Sequence, residues 1–254
     1  MSKLSNQPIQ PTIRFYGDLW DLVSAIDSDH RMIERSLSEP TSVKDLIEGC
    51  GVPHTEVDFI LANDEPVDFS YRVTGDERIS VYPFFNSLDI PESERLQIKK
   101  PDQLLFVVDV NLGKLAKHLR LAGFDTAYRN DATDSELIKQ MEEENRILLT
   151  RDRKLLMRNV VKIGYLPRSD DPTNQLEEVF KRFDLYDKIQ PYSRCVNCNG
   201  VLERVSKESI IDQLEPLTKK YFEEFSQCPE CGQVYWKGSH RNRLDSRIER
   251  LLKL

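Results

Sequence analysis

A chain of 254 residues, 39% hydrophobic and 31% charged, has the material for one large domain or two modest ones with a real core. No run approaches the roughly 18 continuous apolar residues of a membrane span, and Met1–Pro11 lacks the apolar centre of a secretory signal; no membrane partner and a cytoplasmic location are therefore expected. The net charge of −7 divides into −9 on residues 1–90 and +2 on the remainder, which predicts two modules, only the second suited to nucleic acid.

Thr12–Tyr16 alternates polar and apolar residues like a half-buried strand, and a second extended run is expected around Arg31–Leu37. Thr41 or Ser42 caps a helix whose apolar stripe is Val43, Leu46 and Ile47, stopped by Gly49 and Gly51. Phe59–Ala62 and Arg78–Tyr82 read as two further strands, separated by the turn Asn63-Asp64-Glu65 and by Gly75. This order over residues 10–84 resembles a ubiquitin-like β-grasp domain of the sulfur-carrier type. Such carriers end in a free Gly-Gly, whereas here the last strand runs into Pro83-Phe84-Phe85, so a module that docks a protein partner or positions substrate is expected instead. His30 and His54 read as solvated loop residues, and Cys50 as a small core residue. Residues 85–103, with Pro91, Pro101 and the charged stretch Glu92–Lys100, suit a linker.

From Leu104 the pattern becomes α/β over 104–190. Leu104–Val108 is a continuous apolar run, as in a strand buried on both faces, and it ends in Asp109. Leu112, Leu115, Ala116, Leu119 and Ala122 follow at helical spacing, closed by Gly123. A short strand, Asp125–Tyr128, leads to Asp131 and Asp134, and Thr133-x-x-Glu136 is a capping box. Arg146–Thr150 is another buried strand, followed by Asp152; Val160–Gly164 leads to Asp170 and Asp171 and a last helix. Each candidate strand is thus followed by an acid. Ligands of an open parallel sheet bind beyond its carboxyl ends, where these aspartates would converge. Two carboxylates about 4 Å apart repel by about 4 kcal/mol at an effective dielectric near 20, a cost that Mg²⁺ or Mn²⁺ would offset. A single aspartate at such a place is ordinarily a turn or cap residue; the recurrence after four strands is what points to a site. No Asp-x-Asp follows the first strand (Asp109-Val110-Asn111), and no phosphate-binding G-x-x-x-x-G-K-[ST] loop occurs.

Cys195-x-x-Cys198 and Cys228-x-x-Cys231, with 29 residues between the pairs, fit a closed tetrahedral Zn²⁺ site in a ribbon over 191–254. Leu244, Ile248, Leu251 and Leu252 share a face of a basic C-terminal helix, and Lys237 and Arg241 are candidate RNA contacts, as are Lys114, Arg120 and Arg151 near the acids. Tyr235 and Trp236 could stack a base, but they suit a ribbon core better.

Phe106–Asp109, Gly113–Arg120, Gly123-Phe124-Asp125 and Leu148–Asp152, together with Arg194–Gly200, Cys228–Gly232 and Tyr235–His240, resemble the PIN-like ribonuclease domain of the Mut-seven C-terminal family. In that family a zinc ribbon follows the nuclease core, and some members carry an N-terminal ubiquitin-like domain. The resemblance implies metal-binding catalytic acids at Asp109, Asp134 and Asp152. Asp131 could stand for Asp134, and a fourth acid falls at Asp170 or Asp171. The expected activity is metal-dependent hydrolysis of RNA phosphodiester bonds; the alternative is a non-catalytic RNA- or ribosome-binding adaptor. The sequence leaves oligomeric state open.

Overall fold

In a computed structural model, residues 9–23, 32–85, 91–96 and 103–236 are described. The expected basic C-terminal helix, with Lys237 and Arg241, and His30 lie outside them. The chain forms two compact units: residues 1–99 with 152–166, and 100–151 with 167–254. No helix among the described residues is long and apolar enough to cross a membrane.

In the first unit β1 (Thr12–Phe15) and β2 (Met32–Glu34) pair antiparallel. Next come β3 (Thr41–Ser42) and α1 (Val43–Gly49), where Ser42 provides the cap by accepting from the Asp45 amide at 3.1 Å. Then follow β4 (Val57–Ala62), β5 (Glu65–Pro66), β6 (Arg72–Val73) and β7 (Arg78–Pro83). Asn63 and Asp64 both take positive φ, 49° and 71°, the two-residue turn that matches the twist of a hairpin. The sheet order is β2-β1-β7-β4-β5, with the one parallel pair, β1 and β7, at its centre. Ile13, Phe15, Ile47, Ile60, Ile79 and Val81 form its buried core. This is the ubiquitin-like arrangement expected.

In the second unit β8 (Phe106–Val108) is buried at every position and lies between β9 (Thr126–Ala127) and β10 (Ile147–Leu149), both parallel to it. α2 (Gly113–Leu121) leaves β8, and α3 (Asp134–Glu143) opens on the predicted capping box, Thr133 and Glu136 each taking the other's amide. The chain then gives Asp152–Leu166, with α4 (Arg153–Leu156) and β11 (Gly164–Tyr165), to the first unit. The strand expected over Val160–Gly164 is therefore shorter and later. α5 (Pro172–Phe183) returns to pack on α2. Phe106, Phe124, Phe180 and Phe183 meet edge to face, with centroids 5.5–6.1 Å apart, and fill the space between sheet and helix.

The remainder is a three-stranded antiparallel ribbon: β12 (Glu203–Val205), β13 (Phe225–Gln227) and β14 (Val234–Trp236), with α6 (Pro216–Tyr221) between the first two. Its core is small, Ile210, Leu214, Phe225 and Val234. Trp236 packs against that core, as the ribbon-core reading expects.

Within the first unit His54 corrects an expectation. It is 8% exposed rather than solvated, its Nδ1 2.7 Å from the Glu48 carboxylate and its Nε2 2.9 Å from the Val161 carbonyl. Nearby, Glu56 accepts from the Leu166 amide at 2.7 Å. Val161 and Leu166 lie more than 100 positions along the chain from these two residues, which no local pattern reveals.

Candidate functional site

Asp109 follows β8, and its amide donates to the Leu149 carbonyl on β10. Its Oδ2 accepts from the Thr150 hydroxyl at 2.7 Å, so the acid is 7% exposed and held between the carboxyl ends of the two strands. Asn111 and Arg151, close along the chain from this pair, line an open groove of about 840 Å³ that lies wholly within the second unit. Lys114 and Lys117 of α2 enter the groove, as do Arg129, Asp131 and Asp170. Four cations against two acids leave the groove basic. Arg129 pairs with Asp131 and Arg151 with Asp170, whereas Lys114 and Lys117 have no ion-pair partner among the described residues.

α2 follows directly on a 3-10 turn at Val110–Leu112, and no side chain caps its first turn. Gly113 opens the helix, and a Cβ there would come within 2.7 Å of the Tyr128 ring, whose hydroxyl donates to the Val110 carbonyl. Glycine is what lets Tyr128 lie across the helix start.

The open alternatives among the acids separate. Asp131 lines the groove, whereas Asp134 is an exposed first-turn residue of α3, suited to its dipole. Asp170 lines the groove, whereas Asp171 caps α5 by accepting from the amides of Thr173 and Asn174, at 2.8 and 3.1 Å. Asp152 caps α4 in the same way, accepting from Lys154 and Leu155. Carboxylate oxygens suit Mg²⁺ or Mn²⁺ by chemistry. By position, however, no three aspartates among the described residues bring ligand atoms within 4.8 Å of one another.

Four cysteines do. The Sγ atoms of Cys195, Cys198, Cys228 and Cys231 all lie within 4.8 Å, with Cys198 and Cys228 at 3.3 Å and Cys195 and Cys231 at 3.5 Å. Tetrahedral Zn–S bonds of about 2.3 Å require sulfurs roughly 3.8 Å apart, so the set fits zinc. Both turns are built alike. In the first, Cys195 N donates to Gly200 O and Asn199 N to Cys195 O; in the second, Cys228 N donates to Gln233 O and Gly232 N to Cys228 O. Burial pushes the Cys195 thiol up, but the Tyr235 hydroxyl and the amides of Cys198 and Asn197 outweigh it and bring it down to about 7, which favours the thiolate that a metal needs. The Tyr235 hydroxyl lies 3.1 Å from Cys195 Sγ, within reach of a thiolate there.

A family model described as the Mut7-C RNAse domain matches residues 104–248, more than half of the chain. The chain belongs to this family. A second model, the Mut7-C ubiquitin domain, matches residues 9–89. None of the curated proteins compared matches the chain. Membership in Mut7-C makes the second unit a ribonuclease-type domain and RNA its class of substrate, while the ubiquitin-like domain is suited to protein interactions.

Arg120, proposed from sequence as an RNA contact, is corrected. It is 4% exposed, and its guanidinium donates to three carbonyls: Thr126 (2.9 Å), Val196 (3.1 Å) and Asn197 (2.8 Å). A buried cation with three of its five N–H donors on backbone carbonyls holds structure together rather than a phosphate. Sequence reasoning also missed Asn199, whose Oδ1 accepts from Thr126 N and whose Nδ2 donates to Asp125, both at 2.9 Å.

Proposed function

We propose that this chain hydrolyses RNA phosphodiester bonds in the groove beyond β8 and β10, with Mg²⁺ or Mn²⁺ as cofactor. The observation that carries the reading is the basic groove entered by Lys114, Lys117, Arg129 and Arg151 beside the buried Asp109–Thr150 pair. A hard divalent ion would supply an activated water and neutralise charge on the scissile phosphate. Asp131 and Asp170 are the groove acids that would hold it; Asp109, Asp134 and Asp152 are those implied by the family. Lys114 and Lys117, three residues apart on one helix face, bind successive phosphates. Arg151 and Arg129 exchange a carboxylate for a phosphate when RNA enters. Thr150 holds the Asp109 carboxyl at a fixed orientation.

The pairing of Asp131 and Asp170 with arginines favours a second reading, an RNA-binding adaptor without turnover. A cleavage assay on single-stranded RNA under Mg²⁺ and Mn²⁺ titration separates the two. Metal-dependent cleavage that Asp109→Asn abolishes, with unchanged circular dichroism, supports the nuclease. Salt-sensitive binding that survives every Asp→Asn change, without cleavage at any metal concentration, supports the adaptor.

A further inference from the structure

α2 touches two things at once. Near its start Lys114 and Lys117 enter the groove; in its last turn Arg120 holds the carbonyls of Val196 and Asn197, the two residues between Cys195 and Cys198. The same turn is tied to the sheet edge by Asn199, which bonds Thr126 and Asp125, and by Arg194, whose guanidinium lies 3.0 Å from Asp125 and also donates to the Asn199 carbonyl. Asp125 is itself fixed by Arg146 at 2.7 Å. At the tip of the turn Asn197 lines the groove.

We propose that the first cysteine turn is a wall of the RNA groove, and that Arg120 and Asn199 are positioning residues through which zinc and RNA binding favour each other. The physical reason lies in Arg120. Zinc fixes Cys195 and Cys198, and with them the carbonyls that this buried guanidinium needs. Without zinc the turn loosens, the cation loses acceptors, and Asn197 and α2 lose their fixed spacing across the groove. Linkage is reciprocal, so RNA held in the groove must in turn tighten zinc.

The inference rests on RNA occupying the groove, and the test keeps the two apart. With the full chain and no added Mg²⁺ or Mn²⁺, the affinity for a fluorescein-labelled single-stranded RNA is measured before and after zinc removal. Zinc release to a chromogenic chelator is followed with and without saturating RNA. The expectation is at least about a fivefold weaker RNA affinity without zinc and zinc release slowed by a similar factor with RNA. Asn197→Ala weakens RNA binding and keeps zinc; Asn199→Gly weakens both, as does Arg120→Met if it folds. Lys114→Ala and Arg151→Ala report on the groove itself. If these two weaken RNA binding while zinc removal and Asn197→Ala do not, the linkage is wrong and the groove stands. If they leave RNA binding unchanged, or the intact chain binds no RNA, both are overturned.

Discussion

The two cysteine turns share spacing, ligands and backbone hydrogen bonds, yet among the described residues only the first is bonded to the edge of the parallel sheet. The fourth residue after each leading cysteine takes the left-handed conformation: Asn199 at φ 76° and Gly232 at φ 75°. In the second turn that residue is glycine with open space around it. In the first it is asparagine, which tolerates this backbone and has a side chain that reaches Asp125 and Thr126. Coordination sets the shape of a turn, and one residue outside the ligand set decides what the turn is attached to.

Losing the metal breaks the comparison altogether, because both turns share one site. Cys228→Ser and Cys195→Ser should each abolish stoichiometric zinc and unfold the ribbon, whose buried apolar core among the described residues is four side chains. Zinc content and thermal melts check this; a variant that kept full zinc would show that three thiolates suffice. Next in size is Gly123→Ala. This glycine has φ 98°, and a Cβ would come within 2.7 Å of Ser193 Oγ and 2.9 Å of the Gln190 carbonyl carbon, on the stretch that leads into the first turn. Strain at such a position costs of order 1–3 kcal/mol, readable as a lower denaturation midpoint.

Exchanging the fourth residues sharpens the contrast. Asn199→Gly keeps the backbone but removes two hydrogen bonds, so about 1–3 kcal/mol should be lost. Gly232→Asn should cost less, about 1 kcal/mol or under, since asparagine carries the smaller left-handed penalty and nothing crowds it. Equal effects in urea unfolding would refute the asymmetry. The smallest effect concerns pH. Burial raises the Asp125 carboxyl, but its bonds from Arg146 and Asn199 and the charges of Arg146 and Arg194 lower it below the usual range overall. Its contribution is therefore fully present above the unfolded value of about 3.9 and is lost only as pH falls through the lower folded value. Carboxyl NMR should show no Asp125 titration between pH 7 and 4. An inflection inside that window would mean the tie is weaker than its geometry.

Where a residue's role is set by its neighbours along the chain, the sequence was readable. The apolar runs of β8 and β10, the Ser42 cap, the Thr133–Glu136 box and the cysteine spacing all belong to that kind. Asp171 could have been read too, since Asp-Pro at 171–172 is a cap followed by proline at the first helical position, which leaves Asp170 for the groove. Arg120 could not. A basic residue on an amphipathic helix looks the same whether it meets solvent or carbonyls 76 and 77 positions onward. The groove acids were ambiguous for a related reason: a strand-end aspartate signals a cap and a ligand with the same letter.

The path of residues 152–166 has a practical consequence for anyone dissecting the molecule. Severing the chain anywhere in 85–103 does not deliver an intact N-terminal half. Such a fragment would carry His54 without the Val161 carbonyl and Glu56 without the Leu166 amide, two interior polar groups stripped of partners at once. Deletion studies that assign a job to the ubiquitin-like part are better done by surface substitution on the whole chain than by truncation.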